Sequence, residues 1–568
     1  MDENNQFIED MFRKGILLNR EVLDKKIDES ILERLEHEGD LIVLNSDYVD
    51  VIAQPSSLVD WYELDSSRVD LEKERDEELY QAQLQTFKTA SLLLHTPGSS
   101  HRHSLSSLEA EITDDDGVQF SSSSFSSDNP DTDSLLEQTE ALSQPLVSSL
   151  GKVEIVISYQ NVPRKYEVKD FTAFFISRYR FLEGLLRNRQ EMQNAMAISR
   201  ILSKKDKENV AVIGLIDNIG ETKNGSLMLT VEDPTGKIKV FISPQKKELL
   251  QKAKDLVYDE VVGISGTCGD KIIFADDITW PDIPATNELK KGNEEEYAVF
   301  LSDIHVGSNL FLRDEFEKFL RWIRGEAGSE EQRRIAGKVR YLIIAGDLVD
   351  GIGIYPSQAS ELDLKDIIQQ YDEFCSLIKR IPGDKQIIIC PGNHDAVHLA
   401  EPQSSFDEKF ASPLFKMPNV SLVTNPALVN IGKTEKFPGF DILLYHGYSF
   451  DYYVANVESI RNQGGYHRAD LIMRFLLKRR HLAPSFRSTP YFPGHTEDPL
   501  LIRKIPDFLI SGHIHYSKVA NYRGVTTICG SCWQGKTSFQ EKLGHEPEPA
   551  RVPIVNLKTR EVKVLKFG

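Results

Sequence analysis

The stretch Tyr341-Leu-Ile-Ile-Ala-Gly-Asp-Leu-Val-Asp350 decides the fold of the larger part of this chain. Its first residues are apolar and predict a buried strand, and Asp347 and Asp350 follow directly beyond the carboxyl end of that strand. Four other apolar stretches between residues 298 and 510 run into short polar motifs in the same way. These motifs are Ser302-Asp303-Ile304-His305, Pro391-Gly392-Asn393-His394-Asp395, His446-Gly447 and Gly512-His513-Ile514-His515.

The strands alternate with helical patterns such as Asp314 to Ile323 and Leu362 to Ile381, which predicts a layered α/β domain over residues 291–568. In an open α/β sheet, the loops beyond the carboxyl ends of the strands line one crevice. The five motifs span more than two hundred positions, and we nevertheless expect them to converge on a single site.

The polar residues of the five motifs are carboxylates, one amide and imidazoles, which suit two hard-to-borderline divalent cations. Glycines at positions 346, 392, 447 and 512 keep the loops tight and let the backbone approach the metals. Each fragment alone is a weak signal, because a strand-terminal aspartate is usually a turn residue and a single histidine is usually structural. The conjunction of all five motifs in this order predicts a two-metal site.

Asp-x-His, Gly-Asp-x-x-Asp, Gly-Asn-His-Asp, His-Gly and Gly-His-x-His in this order resemble the motifs of calcineurin-like metallophosphoesterases. The resemblance implies two divalent ions, of which Mn²⁺ is favoured and Mg²⁺, Fe²⁺ or Zn²⁺ are alternatives. Two such ions activate a water and polarise a phosphate. Asp347 would bridge them. The implied ligands are Asp303, His305, Asp347 and His515 for the first metal, and Asp347, Asn393, His446 and His513 for the second.

His394 is the motif histidine that the resemblance leaves without a metal. By similarity it would lie near the leaving oxygen as a general acid or charge stabiliser, oriented by the carboxylate of Asp350. The alternative is a structural histidine that supports the metal ligands.

Residues 151–290 read as a second domain, with a strand and a helix before five short strands. The strand-like stretches are Val210 to Leu215, Ser226 to Val231, Ile238 to Ile242, Glu260 to Gly266 and Lys271 to Ile278, with a helix-like interval, Gln245 to Leu256, after the third. This order is that of an OB-fold, a barrel often used on single-stranded nucleic acid. Any other small five-stranded barrel or sheet is the alternative.

An OB-like barrel directly before a metallophosphoesterase domain resembles the B-subunits of replicative DNA polymerases. Over about residues 150–568 the chain closely resembles the small subunits of archaeal family D DNA polymerases. The stretches that carry this resemblance are Gly351 to Pro356, Asn393 to Gln403, Leu476 to Pro484, Trp533-Gln534 and Thr537 to Gln540.

This resemblance implies a 3′-to-5′ exonuclease that proofreads DNA, acts on single-stranded or frayed 3′ ends, and scaffolds a large polymerase subunit. Three alternatives stay open. They are a repair nuclease that works without a polymerase, a non-catalytic structural B-subunit, and a protein or nucleotide phosphatase. Eukaryotic B-subunits have lost metal-binding residues at these motif positions. This chain has a metal-binding residue at every one of them, which favours an active enzyme.

The 568 residues carry 67 Lys and Arg against 87 Asp and Glu, a net charge of −20. Bulk attraction to nucleic acid is therefore excluded. Lys478, Arg479 and Arg480 with His481 form the clearest basic cluster, which either contacts phosphates or forms a solvated helix end or partner face. No apolar run is long enough to span a bilayer and the first residues do not resemble a secretory signal, so we expect a cytoplasmic protein without membrane contact.

Five cysteines are too few for a disulfide framework, and Cys529 and Cys532 are interpreted as core thiols. Residues 1–75 are expected to form a small helical domain. Residues 76–150 are expected to be a disordered linker, because positions 101–150 hold thirteen Ser and ten Asp or Glu against one Arg.

Deletion of residues 95–150 should leave hydrolysis and partner binding unchanged, because a Ser-rich acidic segment with few apolar residues has no fixed structure to lose. Co-purification with the partner and a turnover assay check this expectation. Loss of the complex would show that the linker recognises the partner.

Overall fold

The computed structural model describes residues 17–18, 43–44, 153–159, 164–204, 207–493, 497–542 and 544–568. Contacts divide the chain into two units, residues 1–137 and 138–568. In the first unit, strand β1 (Leu17–Leu18) pairs in parallel with strand β2 (Val43–Leu44). The rest of the predicted helical domain and the whole predicted linker up to residue 150 lie outside the described residues, so both stay predictions.

The second unit contains three β-structures whose strands are named here in chain order. They are β3 (Val153–Ile157), β4 (Asn209–Glu221), β5 (Leu227–Asp233), β6 (Gly236–Ile242), β7 (Val261–Gly269), β8 (Ile272–Thr279), β9 (Tyr297–Leu301), β10 (Val339–Ala345), β11 (Gln386–Cys390), β12 (Val420–Leu422), β13 (Ala427–Ile431), β14 (Phe440–Leu444), β15 (Phe508–Ser511), β16 (Lys518–Tyr522), β17 (Val525–Cys529), β18 (Arg551–Asn556) and β19 (Val562–Lys566). Two are six-stranded sheets, with strand orders β12-β11-β10-β9-β18-β19 and β16-β17-β15-β14-β13-β3, and the third is a closed barrel.

Helices flank these strands. The α-helices are Val168–Arg187, Ile198–Ile201, Lys247–Ala253, Arg313–Ile323, Glu330–Lys338, Ile367–Ile378, Glu408–Phe415, Phe450–Asn456, Glu458–Asn462, Ala469–Arg479 and Ser538–Lys542. Short 3-10 helices cover Gln190–Met192, Gln358–Ser360, Gly465–Arg468 and Phe486–Ser488.

Successive residues of the central strands face two different cores, as the two-residue period of a strand requires. In β9, Ala298 and Phe300 lie in the core between the two sheets, whereas Val299 and Leu301 pack against the helices of the first sheet. Strands β14 and β15 divide their residues in the same way between the inter-sheet core and the helices of the second sheet. The layers therefore run helix, sheet, sheet, helix, which confirms the prediction of a layered α/β domain.

The barrel closes in the order β4-β5-β6-β8-β7, and the helix Lys247–Ala253 connects its third strand to its fourth. All neighbours are antiparallel except β6 and β8, which are parallel. Each of the five predicted strands is present, within a few residues of the predicted ends, except that β4 continues six residues further to Glu221.

The sequence order predicts that the strand β3 belongs to the barrel domain, and the structure corrects this prediction. β3 pairs antiparallel with β13, as the edge strand of the second six-stranded sheet. The alternation of Val153, Ile155 and Ile157 identifies a strand, but only the three-dimensional arrangement supplies its partner.

A buried ion pair joins the barrel to the α/β domain. Nε of Arg479 lies 2.7 Å from Oε2 of Glu260, which precedes β7, and both side chains are buried. The same carboxylate accepts hydrogen bonds from the Trp280 indole at 2.9 Å and from the Val257 amide at 2.7 Å. Arg479 also donates to the carbonyl of Asp255. The arginine is thus bound to the barrel on several sides.

The predicted basic cluster is therefore mostly internal structure. Arg480 is buried and donates to the carbonyls of Ile502 and Arg503. His481 is buried against Asp498, which also pairs with Arg178 at 2.7 Å. Of the four residues, only Lys478 is partly exposed, with Nζ 3.7 Å from the centre of the Trp280 ring. The phosphate-binding alternative does not hold for Arg479, Arg480 and His481.

All five cysteines are buried, which confirms the interpretation of Cys529 and Cys532 as core thiols. Burial raises the pKa of both thiols above the usual value. Among the helices that the structure describes, none is both long and apolar enough to cross a bilayer.

Arg479→Ala should lower the free energy of unfolding by about 3–5 kcal/mol, because it leaves the Glu260 carboxylate buried without its cation. Urea unfolding followed by the fluorescence of the chain checks this. A double variant, Arg479→Met with Glu260→Gln, should recover part of the loss, since no uncompensated charge remains. Lys237→Ala, which removes an exposed ion pair with Asp217, is the control and should change the free energy by less than about 1 kcal/mol.

Candidate metal centre

The five polar motifs lie at the carboxyl ends of five central strands. Strands β9, β10 and β11 are parallel neighbours in the first sheet, and β14 and β15 are parallel neighbours in the second. Each strand ends within two residues of its motif, so the geometry of the two sheets brings the motifs to one place. The structure thus brings most of the predicted residues close together.

A first group consists of Asp303, His305 and His515, whose potential ligand atoms all lie within 4.8 Å of one another. The Nε2 atoms of the two histidines are 3.0 Å apart, and Nε2 of His515 lies 3.5 Å from Oδ1 of Asp303. Two imidazole nitrogens that point at each other beside a carboxylate suit a shared cation.

A second group consists of Asp303, Asp347 and His446, again within 4.8 Å. Nε2 of His446 lies 3.2 Å from Oδ2 of Asp347 and 3.1 Å from Oδ1 of Asn393. Asp347 also belongs to a third group with His305 and His394. Its carboxylate therefore lies between the residues predicted for the first metal and those predicted for the second.

Among the predicted aspartate and histidine ligands, His513 is the one whose side chain is not in these groups. Its Nε2 atom lies 3.0 Å from Oδ2 of Asp451, and its ring centre is 5.3 Å from that of His446. The backbone amide of His513 instead donates to both carboxylate oxygens of Asp303, at 2.9 and 3.0 Å. No motif marks Asp451, which lies in the helix Phe450–Asn456.

The expected contact between the Asp350 carboxylate and His394 is wrong. The main-chain carbonyl of Asp350 lies 2.7 Å from Nδ1 of His394, so the ring donates from Nδ1 and presents Nε2 to the site. The carboxylate accepts hydrogen bonds from the amides of Gln534, at 2.7 Å, and Gln358, at 2.8 Å. It also lies 3.2 Å from Nδ1 of His305. Asp350 thus orients His394 by its backbone and supports a predicted metal ligand by its side chain.

The carboxylates at this site are removed from water: Asp303 is 0% exposed and Asp347 is 1% exposed. Burial raises the pKa of Asp303. Burial also acts to raise the pKa of Asp347, but the charges of His446 and His394 outweigh it and hold that pKa well below the usual value. Burial lowers the pKa of His446, but the charge of Asp347 outweighs this and raises it to about 10. The carboxylates therefore attract positive charge into the interior.

The residues present fit two divalent cations. Carboxylate oxygens, an amide oxygen and imidazole nitrogens converge, and hard-to-borderline metals prefer these donors. Nδ1 of His305 lies 3.2 Å from the Asp350 carboxylate, so its Nε2 atom faces the other predicted ligands. A β-carbon at Gly392 would overlap Oδ1 of Asp347, and one at Gly512 would overlap Oδ2 of Asp303. The predicted role of these glycines in keeping the loops tight is confirmed.

The backbone also holds the ligands in a costly conformation. Asp303, His305, Asp347, His513 and His515 all have positive φ, between 51° and 72°. Residues other than glycine adopt this left-handed region rarely, and it persists only where the surrounding structure fixes it. Five strained positions in one small region are typical of a functional site.

Asp395 is a supporting residue to which the sequence assigned no role, although it belongs to the Gly-Asn-His-Asp motif. Its carboxylate accepts hydrogen bonds from the Gly392 amide at 2.9 Å, the Leu348 amide at 3.2 Å and the Tyr371 hydroxyl at 3.1 Å. Burial, and then the charge of Asp347, raises the pKa of Asp395 to about 7. It ties the loop after β11 to the loop after β10.

Comparison with known proteins agrees with this geometry. The family model described as calcineurin-like phosphoesterase matches residues 298–517. The DNA polymerase II small subunit of Methanothermobacter thermautotrophicus is 38% identical over 403 residues, which cover 71% of this chain and 80% of that protein. The chain belongs to the family of DNA polymerase II small subunits.

Other DNA polymerase II small subunits match the same share of the chain. That of Pyrococcus horikoshii is 40% identical over 404 residues, 71% of this chain and 63% of that protein. That of Halobacterium salinarum is 36% identical over 404 residues, 71% of this chain and 75% of that protein. Among solved structures, asparaginyl-tRNA synthetase from Pyrococcus horikoshii matches 15% of this chain and 22% of its own, at 16% identity and a TM-score of 0.14, which carries no argument.

Asp347→Ala should deplete the metals of this DNA polymerase II small subunit, because the Asp347 carboxylate lies between both groups of ligands. Metal analysis of the purified protein by mass spectrometry checks this. Asp384→Ala, which changes an exposed aspartate, is the control and should keep the wild-type metal content. Two fully occupied metals in Asp347→Ala would contradict the bridging position.

Proposed function

We propose that this DNA polymerase II small subunit is a two-metal 3′-to-5′ exonuclease that hydrolyses DNA phosphodiesters and proofreads beside a large polymerase subunit. The observation that carries the proposal is the burial of Asp303 and Asp347 among imidazoles at converging strand ends. Burying a carboxylate without a compensating charge costs roughly several kcal/mol of folding free energy. A purely structural subunit would gain nothing from keeping them.

The proposed metal ligands are those that the sequence predicted, with Asp347 shared. When bound, the two ions activate the attacking water and stabilise the charge that develops on the phosphate. Mn²⁺ is the proposed metal, with Mg²⁺, Fe²⁺ and Zn²⁺ as alternatives. His513 would have to leave Asp451 to reach the second metal.

His394 is the proposed general acid. In 3′-to-5′ hydrolysis, water attacks the phosphorus, the bond from phosphorus to the 3′ oxygen breaks, and the leaving 3′ oxygen takes up a proton. Nε2 of His394 faces the site because Nδ1 is held by the Asp350 carbonyl at 2.7 Å. Burial lowers the pKa of this histidine, so it gives up a proton readily once it is charged.

The barrel is proposed to be an OB-fold that binds the DNA strand whose end is hydrolysed at the metal centre. Support comes from its closed five-stranded order and the helix between its third and fourth strands. Scaffolding of the large polymerase subunit is proposed from membership in the family alone. The names of the relatives disfavour a stand-alone repair nuclease.

The test is digestion of single-stranded DNA and of primers with matched or mismatched 3′ ends, with Mn²⁺, Mg²⁺, Fe²⁺ or Zn²⁺ added in turn. We expect nucleoside monophosphates from the 3′ end, released faster from mismatched ends because a mispaired base is cheaper to unstack. Release of phosphate from small esters but no nucleotide from DNA would favour the phosphatase alternative. No hydrolysis with any metal would favour the structural B-subunit.

His394→Ala should cut nucleotide release by about 10²–10⁴-fold, the usual contribution of general acid-base catalysis, with folding and metal content nearly unchanged. His467→Ala, which changes an exposed histidine of the 3-10 helix Gly465–Arg468, is the matched control and should keep wild-type turnover. Wild-type turnover in His394→Ala would show that its role is structural.

A further inference from the structure

Two aromatic rings are stacked at the rim of the metal centre. The Tyr355 and Phe539 rings are 5.6 Å apart and 24° from parallel. Tyr355 belongs to the loop that follows Asp350, and Phe539 belongs to the short helix Ser538–Lys542. Neither residue is among the proposed metal ligands or acids.

Both rings are fixed close to residues of the site. The Tyr355 ring is 6.2 Å from the ring of His394. Gln540, the neighbour of Phe539 in the chain, has its side-chain nitrogen 2.9 Å from Nδ1 of His515. The aromatic pair therefore lies within one nucleotide's reach of the proposed acid and of a proposed metal ligand.

One acidic side chain braces the pair. Glu361 accepts a hydrogen bond from the Tyr355 hydroxyl at 3.0 Å and another from the Ser538 amide at 3.0 Å. The loop and the helix that carry the two rings are thus tied to each other. A rigid pair loses little side-chain entropy when a third ring stacks on it.

The pair is also partly open to solvent. Phe539 is 38% exposed, and the adjacent loop exposes Ile352 by 48% and Ile354 by 39%. Grouped exposed apolar residues usually mark a contact surface. The position of this group beside a phosphoester site favours a nucleobase as the occupant. Every nucleobase presents an aromatic face, and each nucleotide carries its phosphate close to its base.

We propose that Tyr355 and Phe539 form a stacking platform for the base of the 3′-terminal nucleotide. The inference rests on the proposed exonuclease function and adds a binding site to it. Stacking requires no hydrogen bonds to the base edge, so the platform would accept any of the four bases. An enzyme that removes whichever nucleotide was misincorporated needs this tolerance.

The test uses the full chain with Mn²⁺ and a single-stranded oligonucleotide whose 3′-terminal base is 2-aminopurine. A phosphorothioate at the terminal linkage slows cleavage. We expect the protein to quench 2-aminopurine fluorescence, since stacking on an aromatic ring quenches it. Phe539→Ala should abolish most of the quenching and weaken binding by about tenfold, within the range of single base-aromatic stacks. Metal analysis should show unchanged metal content.

Matched variants separate stacking from packing. Phe539→Leu keeps apolar bulk and should behave like Phe539→Ala, whereas Tyr355→Phe keeps the ring and should quench nearly as well as wild type. Phe415→Ala, at a phenylalanine 45% exposed at the end of another helix, is the control for the loss of an exposed ring and should quench normally. Equal quenching by wild type and Phe539→Ala, or none by wild type, would overturn the platform.

A second substrate separates this inference from the exonuclease itself. Against an ordinary oligonucleotide, Phe539→Ala should raise KM about tenfold, and against one with an abasic 3′-terminal nucleotide it should have no effect. Equal losses on both substrates would overturn the platform and leave the exonuclease intact. Quenching that depends on Phe539 without any cleavage of ordinary DNA would reject the exonuclease and keep the platform.

Discussion

The structure depends on the cost of holding the carboxylates of Asp303 and Asp347 away from water, at the ends of the adjacent parallel strands β9 and β10. Buried like charges are tolerated only where positive charge or hydrogen-bond donors approach closely. The imidazole of His446 and the backbone amides of His394 and His513 do so here, within 3.2 Å. The close loops and the left-handed backbone follow from this requirement.

The same constraint explains why glycine is required at positions 392 and 512, beside the buried aspartates. A side chain at Gly392 or Gly512 would displace an aspartate oxygen, so these positions keep the ligand atoms together rather than merely turning the chain. Asp395 then fixes the Gly392 loop from behind, by accepting its amide hydrogen. Ligand placement is thus shared between the motif residues and a supporting layer of side chains and backbone.

The barrel is part of the same rigid arrangement. Glu260 of the barrel domain pairs with Arg479 and accepts a hydrogen bond from Trp280. Asp498 pairs with both His481 and Arg178, and Arg178 lies in the helix Val168–Arg187. These buried charges join segments more than two hundred residues apart in the chain. These contacts hold the barrel in a fixed position against the α/β domain.

The sequence by itself determined the five strands of the barrel, the five strands that carry the polar motifs, and the family. Those features are local, because apolar period and motif spacing are written in consecutive residues. It did not determine that β3 pairs with β13, that Asp350 meets His394 through its carbonyl, or that Asp451 holds His513. It also left the basic cluster open, and Arg479 and Arg480 turned out to be buried. Only the tertiary structure decides such pairings, since each depends on which distant segment packs against the residue.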